Sequence, residues 1–326
     1  MPHSVRMEHD DVPIRGEVRV AGFRRVSHGL FVSERDDLDA DAEFLRDLKA
    51  WLLVLPPGAT FTHVTAARLL GWRLPPLPEH VPVFAAVHSC GRHPRRAGLI
   101  CSRLVHDGGS GVELRPHGLP IDTPEEILLR AARDLGHLDL LLMVDSARAL
   151  GHLDPDRLES VLTSRRPGAR PLRAAIGASD ARAESAGETV LRRLHDVLQI
   201  DVDAQVVLSD PDGRAFGRAD LLVRGSRDVH EYDGAGHRSR AQHAGDLRRD
   251  RRLAAAGYRR RGFTLEDLVV HPAVTIHELE RALGRRHSRR AVRQWRRMVD
   301  GSLYAESGRS RVLNRWRRAM GVVDWA

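Results

Sequence analysis

The 326-residue chain predicts an α/β fold organised in more than one domain. Three observations predict it. The length exceeds that of an ordinary small domain, and 42% hydrophobic residues suffice for real cores. Apolar spacing switches repeatedly between helical and strand periods along the chain. From Ser185 onward the pattern runs α-β-β-β-α-β-α, so strands and helices alternate within one domain.

In the N-terminal part, residues 17–33 alternate and turn at glycines, which predicts a short β-ribbon. From Asp41 to about Leu55, Phe44, Leu45, Leu48, Trp51, Leu52 and Leu55 share one helical face, and Pro56-Pro57-Gly58 ends it. Thr62 to Trp72 predicts another short helix. Val81–Val87 and Leu99–Leu104 predict strands, and Gly108–Gly111 a flexible loop. Thr123-Pro124-Glu125-Glu126 is a helix start with a capping residue, a first-turn proline and a Glu closing the box. Helices are expected at Glu125–Leu135, Leu138–Leu150 and Pro155–Thr163, followed by an Arg-, Pro- and Gly-rich joint from Ser164 to Pro171. Residues 1–173 therefore form one α+β region, and 174–284 a second domain.

The second domain opens with a helix carrying Val190, Leu191, Leu194, Val197 and Leu198 on one side. Strands follow at Gln205–Leu208, Gly217–Val223 and Val229–Tyr232, then a charged helix from Arg238 to Ala256. Tyr258–Phe263 is the fourth strand, and its three consecutive arginines are costly in a core unless it lies at an edge. Thr264 caps a short helix, and Val274–Leu283 is the last. Residues 285–326 read as a basic tail of two helices around Gly301 and Ser302.

Charge and composition limit the function classes. No run of about 18 apolar residues exists, so no membrane-spanning helix is expected. Met1 to Asp11 lacks the apolar core of a secretory signal, and a cytoplasmic location is expected. Cys90 and Cys101 are expected as free thiols, too few for a four-cysteine zinc site. The net charge of +8 points to an acidic partner, nucleic acid first. From Arg285 onward twelve arginines face three acids, so the tail carries +9 and the rest of the chain −1. Lys49 is the only lysine. A GC-rich genome produces such an arginine bias, yet arginine still grips phosphate at two points.

Chemistry gathers in residues 188–237. Glu231 and Asp233 are two apart on a strand, so both carboxylates line one face. Asp220 lies on the preceding strand, and a hairpin places it about 5 Å from its cross-strand neighbour. Glu188 lies in the first turn of a helix that can pack over that sheet. Like charges this close need a cation or a proton between them. Oxygen ligands suit Mg²⁺, which would polarise a phosphate and acidify a water. Gly234 and Gly236 turn the chain so that His237 can face the site as a proton donor or acceptor. Each residue also has an ordinary role: Glu188 closes a capping box with Ser185, Asp220 pairs with Arg218, and Glu231, Asp233 and His237 are solvated polar groups. Asp246 and Asp250 suit pairing with arginines on their own helix.

Several stretches resemble a known family: Gly187-Glu188-Thr-Val-Leu, Arg218-Ala-Asp220-Leu-Leu, Glu231-Tyr-Asp233-Gly234-Ala-Gly-His237, Asp246-Leu-Arg-Arg-Asp250 and Ala256-Gly257-Tyr. Residues of about 180–284 resemble a bacterial domain-of-unknown-function family related to the very-short-patch-repair (Vsr-like) endonucleases of the PD-(D/E)XK superfamily. The resemblance implies a restriction-endonuclease-like core with a mixed sheet, and a metal-dependent DNA nuclease. Asp220, Glu231 and Asp233 would be the metal acids, with Glu188 as a further ligand and His237 in support. The superfamily's lysine is replaced here by Asp233.

Residues of about 17–165 resemble the AbiEi-like antitoxin-type region of abortive-infection systems. The resemblance rests on Arg24-Arg-Val-Ser-His-Gly-Leu-Phe-Val, Phe61-Thr-His-Val-Thr-Ala-Ala-Arg-Leu-Leu-Gly-Trp and Leu119-Pro-Ile-Asp-Thr-Pro-Glu. It implies partial winged-helix character, with only the wing-like ribbon visible, and a protein partner of toxin–antitoxin type. In the tail, Arg293, Arg296, Arg297, Arg315, Arg317 and Arg318 form either a phosphate clamp or a solvated basic end. Trp295 and Trp316, interleaved with them, favour helices that dock on something. The expected function is a Mg²⁺-dependent DNA endonuclease. The alternative is a non-catalytic DNA-binding regulator of antitoxin type with a relic nuclease fold, and a third reading is a scaffold for a protein partner.

Overall fold

The computed structural model describes residues 12–18, 21–88, 93–104, 115–210, 212–234 and 240–321. His237, Cys90 and the expected loop at Gly108–Gly111 lie outside them. The protein is mixed α/β, and the described residues form three sheets and twelve helices. The chain divides into two compact units, the first of residues 1–71, 78–130 and 312–326, the second of residues 72–77 and 131–311. Among the described residues no helix is long and apolar enough to cross a membrane.

In the first unit, β1 (Ile14–Arg15), β2 (Phe23–Ser27) and β3 (Leu30–Ser33) form an antiparallel sheet in the order β1-β3-β2. The predicted ribbon thus gains a third strand. Helix α1 (Ala40–Leu52) starts where the Asp39 carboxylate accepts from the Asp41 and Ala42 amides, and it buries Leu48 and Trp51. A second sheet joins β4 (Thr60–Phe61) antiparallel to β5 (Val83–Val87), and β5 parallel to β6 (Leu99–Arg103). Helix α2 (His63–Leu69) connects β4 to β5, and Cys101 on β6 is a free thiol. Helix α3 (Pro124–Ala131) begins at the predicted cap, with the Glu126 amide donating to Thr123 Oγ1 at 3.5 Å. Its Arg130 meets Asp122 at 2.8 Å, and Thr62 Oγ1 also donates to that carboxylate.

The second unit begins with α4 (His137–Ala149), α5 (Pro155–Thr163) and α6 (Ala169–Gly177). The expected boundary near residues 173–174 falls inside α6, and all three helices belong to the same compact unit as the sheet that follows. Helix α6 also occupies part of the expected joint. Pro171 lies in its first turn, where a missing N–H costs nothing, and Leu172 and Ala175 are buried.

Then come α7 (Ala186–Leu198), β7 (Val202–Ser209), β8 (Ala215–Val223), β9 (Asp228–Tyr232), α8 (Arg240–Ala255) and β10 (Arg259–Phe263), in the predicted order. The sheet runs β10-β9-β8-β7, with β7, β8 and β9 antiparallel and β10 parallel to β9. Strand β10 is an edge strand, which is why its arginines are tolerated. On one face Val190, Leu191 and Leu194 of α7 share a core with Leu221 and Val223. Leu268 of α9 (Leu265–Val269), Ile276 and Leu279 of α10 (Pro272–Ala282) and Trp295 of α11 (Arg289–Asp300) extend that core. A smaller cluster of Leu208, Ala219, Val229 and Leu253 includes one residue from α8.

The C-terminal basic segment is not an appendage. Trp295 is fully buried, and its Nε1–H donates to the Leu268 carbonyl at 2.7 Å. Trp316, on α12 (Glu306–Met320), is fully buried in the first unit, edge-on to Phe84 and His63. The two tryptophans anchor the helices, while Arg293, Arg296, Arg297, Arg315, Arg317 and Arg318 are exposed.

Candidate functional site

The site lies where the β8–β9 ladder ends. Leu222 pairs with Val229 and Leu221 with His230. One step further, Asp220 and Glu231 stand opposite each other in the same register. There Asp220 Oδ2 accepts the Tyr232 amide at 2.8 Å, so a side chain takes over where the backbone ladder stops. That is the only hydrogen bond of the Asp220 carboxylate among the described residues. The carboxyl is pushed up to about 6, first by burial, with the Glu188 and Glu231 carboxylates adding to it. The Tyr232 amide and Arg249 pull the other way. Glu188 and Glu231 are therefore each close enough to Asp220 to disfavour its charged form.

Glu188 arrives from the first turn of α7. Ser185 Oγ accepts the Glu188 amide at 3.1 Å, the first half of the expected capping box. The Glu188 carboxylate turns back instead to the Glu184 amide at 2.8 Å and to Gln205 Nε2 at 2.7 Å, both on Oε2. The cap and the site share this residue. Gly187 makes the approach possible, because a Cβ there would collide with the Tyr232 ring of β9. Gln205 faces Asp220 in the β7–β8 register and holds a left-handed φ of 56° inside a strand. Such a conformation costs a non-glycine residue about 1–3 kcal/mol.

Glu231 and Asp233 do share a face, as their spacing predicts, and the cation between them is an arginine. Arg260 of β10 gives Nε to Glu231 Oε2 at 2.5 Å and Nη2 to Asp233 Oδ1 at 2.6 Å. Arg249 of α8 gives Nη2 to Glu231 Oε1 at 2.5 Å and to the Arg218 carbonyl at 2.5 Å. Both oxygens of the buried Glu231 carboxylate are thus held. Gly262, next to Arg261, leaves the space that the Asp233 carboxylate occupies, since a Cβ there would overlap it. Asp250 lies 3.8 Å from the same Arg260, so it pairs across to β10 rather than along its own helix.

Behind Glu231, His230 and His195 form a buried pair with Nδ1 and Nε2 2.7 Å apart. His195 Nδ1 lies 2.8 Å from the Leu191 carbonyl, so that nitrogen carries the proton and His195 Nε2 accepts from His230. Burial lowers His195 to about 4 and His230 to about 3, which keeps both rings neutral near pH 7. Phe263 packs edge-on to both.

The structure therefore links Glu188, Asp220, Glu231 and Asp233, while His237 lies outside the described residues. Sequence reasoning missed Gln205, Arg249 and Arg260 as members. The signal for Arg260 was present: an arginine at an otherwise apolar position of a core-like strand needs a partner. Gln205 had no such signal.

Among the described residues, no group of three or more His, Cys, Asp or Glu side chains is placed to hold one metal ion. The acids do not fit a three-carboxylate cage in this arrangement, because arginines hold Glu231 and Asp233. Asp220 and Glu188 fit the one or two carboxylates that Mg²⁺ takes alongside water and phosphate. No family model, curated protein or solved structure matches the chain.

Proposed function

We propose that the protein is a metal-dependent DNA endonuclease whose second unit has a restriction-endonuclease-like core. The observation that carries this reading is Asp220. It is a partly buried carboxylate with one hydrogen bond, held up at about 6 by burial and by two neighbouring carboxylates, where the β8–β9 ladder ends in an α-β-β-β-α-β frame. Carboxylates crowded in this way without a structural partner are a mark of functional sites. Asp220 and Glu188 would hold Mg²⁺, and Glu231 would join them if Arg249 or Arg260 turned to the substrate. When bound, the ion supplies polarisation of the scissile phosphate and an acidified water. The chain's own contribution is positioning. Gln205 orients Glu188, the Tyr232 amide orients Asp220, and Arg260 places a fixed positive charge beside Asp233, where the superfamily carries lysine.

A second reading has its own observation. Glu231 and Asp233 are already neutralised by arginines, as in a relic site that no longer needs metal. Under that reading the protein is a non-catalytic DNA-binding regulator of antitoxin type. Plasmid nicking with Mg²⁺ separates the two. The nuclease reading expects Asp220→Asn and Glu231→Gln each to lose about 100-fold or more in cleavage rate, in line with removal of a charge-stabilising group. Equal cleavage by parent and variants sinks the site. Salt-sensitive DNA binding in EDTA, with no cleavage by the parent, establishes the regulator.

A further inference from the structure

A cleft of about 530 Å³ lies in the second unit beside the acid end, and Arg73, Arg182, Arg218, Glu184 and Gln205 are among its lining residues. Three features give it chemistry. First, the wall carries three guanidinium groups against one carboxylate. Arg218 is paired with Glu184 at 2.5 Å and is half exposed, while Arg182 is held in a two-point pair by Asp180 and donates to the Ala204 carbonyl. Second, Arg73 has no such pair. Its Nε and Nη2 are shielded from solvent and have no hydrogen-bond partner, although its backbone amide is tied to Ser146 Oγ at 3.0 Å. A shielded, charged donor without an acceptor is unfavourable in the free protein, and an anionic oxygen relieves it. Third, Gln205 connects the cleft to the acids. It lines the cleft, donates to Glu188 at 2.7 Å and keeps its strained backbone.

From these features we propose that the cleft is a phosphodiester subsite, which takes a backbone phosphate of the DNA strand next to the one at the acid end. The proposal rests on the nuclease reading for the identity of its ligand. Arg73 supplies the donors that lack a partner, and Arg218 exchanges Glu184 for phosphate oxygen. Gln205 couples occupancy of the cleft to the orientation of Glu188. Phosphate contacts of this kind set register and affinity without reading sequence.

The experiment is binding of a short labelled DNA duplex to the full chain in EDTA, across roughly 50 to 200 mM salt, where lost phosphate contacts change both affinity and its salt dependence. Arg73→Ala is expected to bind about threefold to tenfold more weakly at the low-salt end, with the slope of log K against log salt shallower by about one unit. Its melting temperature should be no lower than the parent's, because an unpaired shielded charge has been removed. Arg218→Ala, at a half-exposed position, carries the same expectation for affinity and slope, and decides the matter should Arg73→Ala fail to fold. Parent-like affinity and slope in the folded variants overturn the subsite and leave the nuclease reading standing. Loss of cleavage in Asp220→Asn bears on the nuclease reading alone. A parent that binds no DNA at low salt overturns both.

Discussion

Two carboxylates of the second unit, Asp145 and Asp220, sit in centres that are finished to different degrees. Asp145 on α4 is completely buried. Its Oδ1 accepts the Asp180 amide at 2.8 Å, and its Oδ2 accepts Thr189 Oγ1 at 2.9 Å and Arg192 Nη2 at 3.0 Å. Both oxygens have donors, and the arginine beside them carries the opposite charge. Asp220 is less buried, accepts one hydrogen bond, and has two carboxylates for neighbours. Burial raises both carboxyls, yet only at Asp145 do local donors and an arginine oppose it so fully. Asp145 ties α4 to α7 and to the chain after α6, which is a structural task. Asp220 is left unsatisfied where the β8–β9 ladder ends, which is what a site awaiting a ligand looks like.

The strongest way to break this contrast is to delete each carboxylate. Asp145→Ala strands Arg192 in the core and should cost about 3–5 kcal/mol in urea unfolding. Asp220→Ala relieves that crowding while leaving the Tyr232 amide without its acceptor, and should cost less, about 1 kcal/mol. Equal losses would make Asp220 a structural residue. Next comes Arg260→Ala, which takes one arginine partner from both Glu231 and Asp233. A loss of about 1–3 kcal/mol is expected without metal. Mg²⁺ should then raise the melting temperature of Arg260→Ala more than that of the parent. If Mg²⁺ moves neither, the acids do not hold it.

A smaller effect lies in pH. Folded Asp220 titrates near 6, against about 3.9 when unfolded. Between those values the folded state holds more proton, so this group's stabilising contribution is full below about 4 and is lost as pH rises through about 6. Asp220→Asn removes that dependence. It should therefore exceed the parent in stability at pH 7.5, by on the order of 1–2 kcal/mol once partial exposure is discounted, and converge with it near pH 4. His195 and His230 act in the opposite sense. Their folded values are depressed, so their contribution is lost as pH falls below about 6.5. Comparing variant with parent at each pH cancels them. The smallest effect is expected at the exposed arginines: Arg293→Ala, Arg296→Ala and Arg297→Ala should each change stability by about 0.5 kcal/mol or less. A larger cost at any of them would mean that its charge is structural.

Much of the frame was legible because it depends on local signals. The order of α7 to β10, the cap at Thr123 and the box at Thr264 with Asp267 all follow from periodicity and side-chain oxygen chemistry within a few residues. Helix α6 was hidden by composition, since Arg, Pro and Gly look like a joint until Pro171 is seen to fall in a first turn. The basic C-terminal helices were misjudged as a separate tail because net charge conceals a buried stripe: Ala291, Trp295 and Val299 recur at helical spacing and lie inside.

By itself the sequence determined that Glu231 and Asp233 share a face and that Asp220 lies on the neighbouring strand, because strand alternation and hairpin pairing are short-range rules. Tertiary structure alone decided what stands between those acids. Arg260 comes from a parallel edge strand reached only after a whole helix, and Arg249 from that helix. Periodicity places each on a face and says nothing of which charge that face will meet. The shielded, unpartnered guanidinium of Arg73 is of the same kind. It lies far from Gln205 in sequence, and only folding sets the two in the walls of one cleft.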